Sequence, residues 1–155
     1  MDFLGQRVRG TGPAILEILN RSKDQIHILA YDITSNAVEF LNELELALTR
    51  GRKITLIVDG KRIGERADLR SRFLEWKSKF EYFTFVEFFR DDKMLHAKVV
   101  IADRNVAVIG SANFTAGGFE NNYEVGVLLK GKEVRTLASI IDKIAESPTL
   151  NGGQS

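Results

Sequence analysis

Residues 96–113 read HAKVVIADRNVAVIGSAN, two β-rich apolar runs separated by the turn formers Asp103, Arg104 and Asn105. Side chains in a strand alternate faces, so His96, Lys98 and Val100 share one side while Ala97, Val99 and Ile101 take the other. Val106 to Ile109 resumes the apolar pattern after the break, which predicts a hairpin with a slightly long loop. The return strand then carries Gly110, Ser111 and Asn113 back near the level of His96. A histidine, a cation and a polar Gly-Ser-x-Asn turn are thereby gathered at one end of a hairpin.

The rest of the chain supplies what such a hairpin packs against. Pro13, followed by Ala14, Ile15, Leu16, Ile18 and Leu19, predicts a first helix with its proline in the opening turn, ending over Asn20 to Asp24. Gln25 to Tyr31 reads as a strand, and Ser35 or Asn36 is placed to cap a helix through Val38, Leu41, Leu44 and Leu48 that Gly51 closes. Lys53 to Val58 is a buried strand ended by Gly60. A charged helix is expected over Ile63 to Phe80, a strand over Tyr82 to Phe89, and a polar turn over Arg90 to Lys93. Tyr123 to Leu129 adds a strand, and Glu133 to Ala145 a last amphipathic helix. Strands alternating with helices imply an α/β layered domain, and the close succession of strands from Tyr82 onward implies a mixed sheet. Size bounds this to one domain, residues 1–146, with 147–155 a loose Pro- and Gly-containing tail. No internal repeat is present.

Composition narrows the chemistry. There are no cysteines and only two histidines, His27 and His96, which removes disulfides, thiolate metal sites and histidine-rich clusters and points to chemistry without a metal or other cofactor. No run approaches the ~20 apolar residues of a membrane span. The opening MDFLGQRVRG has an acid at position 2 and lacks the apolar core of a secretory signal, so a cytoplasmic location is expected. The net charge of +1 neither demands nor excludes a nucleic-acid partner.

The spacing of His96-x-Lys98, four residues, Asp103, six residues, Gly110-Ser111-x-Asn113 resembles the signature of the phospholipase D superfamily. Gln25 to Thr34 (QIHILAYDIT) and Arg50 to Asp59 (RGRKITLIVD) look like that family's first two strands, and Asn122 and Glu124 fall where its members carry a carboxylate that contacts the histidine. The likeness spans roughly residues 13 to 146. It implies a phospholipase D/nuclease-like mixed β-sheet flanked by helices on both faces. It also implies that His96 attacks phosphorus, that Glu124 orients its ring, and that Lys98 and Asn113 bind the non-bridging oxygens, with Ser111 a further candidate for a phosphate contact. Asp103 and Gly110 belong to the same signature but are expected to be structural, Asp103 because the hairpin turn points it away from His96.

Family members that work as single chains carry two copies of the motif, and this chain carries one. Breaking a phosphodiester needs a nucleophile on one side of phosphorus and a proton donor on the other, and one imidazole cannot occupy both places. A homodimer sharing one site across a two-fold axis answers this need; His27 of the same chain is the competing source of a second imidazole. The expected activity is a metal-independent nuclease of little sequence specificity acting on DNA or RNA through a phosphohistidine. A phospholipid head-group hydrolase and a non-catalytic dimeric nucleic-acid-binding module are the alternatives. Lys61 to Lys79 holds seven basic residues against three acidic, and Lys61, Arg62, Arg66 and Arg70 include helix-spaced pairs that could follow a phosphate backbone. A charged run on a helix is more often an ordinary solvated face.

Overall fold

A computed structural model describes residues 10–121 and 123–147. The opening segment read for a leader, Asn122, and the tail from 148 lie outside the described residues. In chain order the elements are α1 (Thr11–Arg21), β1 (Gln25–Ala30), α2 (Val38–Thr49), β2 (Lys53–Asp59), α3 (Gly60–Gly64), α4 (Ala67–Lys79), β3 (Phe83–Phe88), β4 (Lys98–Ala102), β5 (Val106–Gly110), a π-helical turn (Gly117–Asn121), β6 (Gly126–Lys130) and α5 (Lys132–Glu146).

The six strands form one mixed sheet in the order β3-β2-β1-β4-β5-β6. β1, β2 and β3 are parallel, and β4, β5 and β6 follow as successive antiparallel neighbours. The helical crossovers β1-α2-β2 and β2-α3-α4-β3 build the parallel half, and the tight Asp103-Arg104-Asn105 turn builds the motif hairpin. Asp103 and Arg104 take left-handed backbone conformations there, with φ of 54° and 53°.

Burial divides along the two faces of the sheet, as period-two alternation requires. Ile26, Ile28, Leu56 and Val100 face α1, α2 and α4, whose Ile15, Leu19, Phe40, Leu44, Phe73 and Trp76 fill the larger core. Leu29, Ile57, Val99, Ile101 and Ala107 face Val134, Ala138 and Ile141 of α5. Each buried Val, Leu, Ile or Phe among them contributes roughly 1.5–3 kcal/mol relative to exposure. Among the described residues, helices therefore cover both faces, α1 to α4 on one and α5 on the other.

Two local expectations are corrected, and one feature is new. The charged helix over Ile63 to Phe80 is two helices: Asp59 caps α3 through Arg62 N–H, α3 stops at Gly64, and α4 starts only after Arg66. Neither Ser35 nor Asn36 caps α2; its N-cap is Ala37, because the Asn36 side chain is engaged by Thr34 and by Ala116 N–H instead. The loop after Phe114 contains a π-helical turn, held by Gly118 N–H donating to Thr115 and by Phe119 packing edge-on against Phe40 and Phe114.

Strand direction is what locates the site. The C-terminal ends of β1, β2 and β5 and the N-terminal ends of β4 and β6 all lie along the same margin of the sheet. β1 has its sequence neighbour β2 on one side and the later hairpin on the other, so its C-terminal end is a topological switch point, where open α/β sheets bind ligands. Ala30 is paired with Lys98 at that point.

Candidate active site

His96 precedes β4 and is exposed, while Lys98, the first residue of β4, is 9% exposed. The Lys98 ammonium lies 3.0 Å from Nε2 and 3.1 Å from Nδ1 of His96. A donor there can only be accepted by a ring nitrogen with a free lone pair, which is the form a nucleophile needs. Burial holds the Lys98 ammonium below its usual pKa, with the Glu124 carboxylate pulling the other way.

Glu124 does not reach His96 in this chain. Its carboxylate accepts the Ser111 hydroxyl, and Ser111 is fixed further by Val125, through Ser111 N–H to Val125 O at 3.0 Å and Val125 N–H to Ser111 Oγ at 3.2 Å. Gly110 makes this approach possible: a Cβ there would lie 2.8 Å from Val125 O and 3.1 Å from Gly126 Cα. Asn113 follows one residue after Ala112, and its Oδ1 is buried without a partner. A buried orphan acceptor costs free energy that structure alone does not return. Gly118 lies so close to Asn113 that a Cβ would collide with the Asn113 carbonyl.

Asp103 sits at the opposite end of β4. Its carboxylate accepts backbone N–H groups of Lys23 at 2.9 Å, Asp24 at 2.8 Å and Gln25 at 3.1 Å, which pins the entry of β1. His27 lies three ladder steps below Ala30, 2% exposed, with Nε2 2.9 Å from Asp142 Oδ1. Arg104 holds the other oxygen of Asp142 at 2.7 Å. Buried and bonded there, His27 cannot serve as the second imidazole.

Sequence reading missed a supporting shell. The Tyr31 ring, just beyond β1, lies 4.6 Å from the His96 ring, with the Lys98 ammonium 5.4 Å and the Arg62 guanidinium 5.7 Å from its centre. Asp32, 6% exposed, accepts from Arg66 at 3.1 Å and pairs with Arg62 at 3.3 Å. Asp59, 4% exposed, takes Leu95 N–H on Oδ2 at 2.9 Å and so fixes the segment leading into His96. Their one available signal was position, as polar residues ending apolar strands at the switch point.

The basic run is largely spoken for. Arg62 pairs with Asp32 and Glu65, Arg66 with Asp32, Arg70 with Glu87, and Arg72 with Glu45. Asp32 foremost raises the pKa of Arg62. Trp76, Phe80 and Phe83 are buried and Tyr82 bonds Leu48 O, so these aromatics are core and not stacking platforms.

Residues 15–146 match the family described as cardiolipin synthase, PLD-like domain. The chain belongs to the phospholipase D-like family. Its fold is shared with the phospholipase D family member Nuc from Salmonella typhimurium (TM-score 0.72, 22% identity, 84% of each chain). NucT from Helicobacter pylori is similar as well (TM-score 0.70, 20% identity, 88% of each chain). Phosphatidylserine synthase from Haemophilus influenzae matches at TM-score 0.69 and 15% identity, over 84% of this chain and 33% of that one. Among curated proteins, the DISARM protein DrmC of Bacillus paralicheniformis is 25% identical over 142 residues. That match covers 91% of this chain and 58% of the relative, so the chain spans little more than half of the relative's length. Among the described residues, no helix is long and apolar enough to cross a membrane.

Proposed function

We propose that this phospholipase D-like chain is a phosphodiesterase, a metal-independent nuclease that cleaves DNA or RNA at a site shared by two subunits. The observation that carries the reading is the Lys98 ammonium within 3.1 Å of both His96 ring nitrogens at the switch point of the sheet. The match of Nuc and NucT in fold over most of their length supports nucleic acid over lipid. So does Phe119, the large apolar side chain of the 115–121 segment, which is turned inward against Phe40 and Phe114.

In this scheme a neutral His96 attacks phosphorus, forming a P–N bond as the bond to the leaving oxygen breaks. The partner's His96, protonated, gives its proton to that oxygen. It then takes a proton from water, whose oxygen displaces the imidazole and frees the phosphate. Lys98 balances the negative charge on the non-bridging oxygens. The Asn113 amide N–H donates to those oxygens, and the Ser111 hydroxyl, which donates to Glu124 in this structure, does the same once Glu124 moves aside. Glu124 orients the imidazolium only after a shift away from Ser111.

The test is incubation of labelled single-stranded and duplex DNA, RNA and a phospholipid panel in EDTA, with His96→Ala alongside. Nucleic-acid cleavage that persists in EDTA and vanishes in His96→Ala is the expected result. Cleavage of lipid alone makes the chain a head-group hydrolase. Salt-sensitive nucleic-acid binding without turnover makes it a binding module.

A further inference from the structure

Among the arginines of the run from Lys61, Arg62 differs in place and in partners. Its guanidinium lies 5.7 Å from the centre of the Tyr31 ring, and the His96 ring lies 4.6 Å from the same centre. Arg62 is therefore no farther from His96 than those two distances laid end to end. The Lys98 ammonium, 5.4 Å from that centre, makes Tyr31 the common neighbour of all three. Asp32, next in sequence, ties this group to the motif turn, because its backbone oxygen accepts Phe114 N–H at 3.0 Å, one residue beyond Asn113. Arg70 and Arg72 instead lie along α4 and pair one-to-one with Glu87 and Glu45.

The partners of Arg62 are unequal. Asp32 is buried, and its one carboxylate serves two guanidiniums, with Arg62 Nη2 at 3.3 Å and Arg66 Nη2 at 3.1 Å. Asp59, the other buried carboxylate beside α3, is taken up by the backbone N–H groups of Arg62 and Leu95. The remaining partner is Glu65, 2.8 Å from Arg62 Nη1, whose side chain is 60% exposed. An exposed pair of this kind contributes little to stability. Asp32 thus fixes the guanidinium from its buried side, while Glu65 covers it loosely on the open side. A guanidinium held in this way is ready to exchange the loose carboxylate for a phosphate, whose oxygens its donors fit two at a time. We infer that Arg62 binds a second phosphate of the nucleic-acid strand, along from the one held at His96 and Lys98, and that Glu65 occupies that place in the free protein. This rests on the nuclease reading above and adds how the site tells a polynucleotide from a lone phosphodiester. A strand carries one phosphate per about 3.4 Å of helix axis, so a strand with one phosphate at His96 brings its neighbours within reach of Arg62. The bond-breaking step stays with His96; Arg62 contributes to binding.

The test compares the parent, Arg62→Gln and Glu65→Gln on a labelled single-stranded oligonucleotide and on bis(4-nitrophenyl) phosphate, which has one phosphorus and nothing for Arg62 to hold. Arg62→Gln is expected to raise KM for the oligonucleotide about tenfold with kcat little changed. It should also flatten the dependence of log(kcat/KM) on log salt by about one. Its turnover of the small diester should match the parent's. Glu65→Gln is expected to lower KM for the oligonucleotide by about two- to threefold, again without effect on the small diester. An Arg62→Gln protein with the parent's KM and salt dependence on the oligonucleotide overturns the second contact and leaves the nuclease reading standing. Equal losses on both substrates overturn it as well, because they make Arg62 a support of the reacting centre. A Glu65→Gln protein that binds the oligonucleotide more weakly overturns the exchange. A parent that cuts no nucleic acid overturns the nuclease reading and this contact together, as does dependence on Arg62 seen only with anionic phospholipid vesicles.

Discussion

Lys98 and His96 are two residues apart, one buried and one exposed, yet the ammonium touches both nitrogens of the exposed ring. Keeping a cation at that depth costs stability, since burial works against the charged form. Lys98→Met is therefore expected to separate stability from activity. Thermal unfolding should occur at the same temperature or higher, while turnover at saturating substrate falls by about 100 to 1,000-fold, the usual consequence of losing one preorganised charge donor. Paired melting curves and kcat measurements check this, and a variant that melts much lower with proportionate activity would point to a purely structural lysine.

Asp103 makes the opposite case. Its carboxylate ties three backbone amides at the entry of β1 from a residue at φ 54°, a conformation that aspartate tolerates better than alanine. Asp103→Ala is expected to lower the unfolding free energy by about 2 to 3 kcal/mol, the range for charged hydrogen bonds. Turnover per folded molecule should be unchanged. Urea unfolding and activity normalised to folded protein measure the two effects separately.

These two residues also show what was readable in the chain. The hairpin was legible because period-two alternation around Lys98 and a turn at Asp103 are both local facts of a continuous stretch, and the opposed roles follow from which end of the hairpin each occupies. The core faces were legible for the same reason. Tyr31, Asp32 and Asp59 were not, because their contacts to His96, Arg66 and Leu95 cross 65, 34 and 36 positions of sequence. How far the basic run from Lys61 is neutralised was not legible, because its partners Asp32, Glu45 and Glu87 lie on other elements. Local charge counting cannot see them. The π-helical turn carries no periodicity that distinguishes it from a Gly-containing loop.

The His27–Asp142–Arg104 chain predicts an acid-labile fold. Burial is the main cause that lowers the pKa of His27 below its usual 6.5, so the unfolded chain binds that proton more readily than the folded one. Stability from this source is fully present above the unfolded value and is lost as pH falls toward the folded value. Asp142 is held below its usual 3.8 by Arg104 and His27, against the desolvation that opposes ionisation. Its contribution is likewise present above that value and lost below it. The urea midpoint is therefore expected to fall between pH 7 and pH 4. His27→Gln, which can still donate to Asp142, should flatten the upper part of that profile. An unaltered slope in the variant would assign acid sensitivity to other groups.

Gly110 carries the last test, because it is the motif residue whose reason is purely steric. Its φ is not in the left-handed region, so backbone freedom does not require glycine here. What requires it is Val125 O, 2.8 Å from where a Cβ would stand, with Gly126 Cα at 3.1 Å. Both are backbone atoms of the segment that presents Glu124 to Ser111, and neither can turn aside as a flexible side chain could. Gly110→Ala is thus expected to push the start of β6 away from β5, breaking the bonds of Ser111 to Glu124 and Val125 while leaving the lower rungs of the ladder paired. Overpacking of this kind costs about 1 to 3 kcal/mol. Under the proposed mechanism, turnover should fall by more than that loss of stability explains, because the phosphate-facing hydroxyl moves with the strand. Amide exchange localised to residues 110–111 and 125–126, measured beside kcat, reads the displacement directly, and an active variant with unchanged exchange there would refute it.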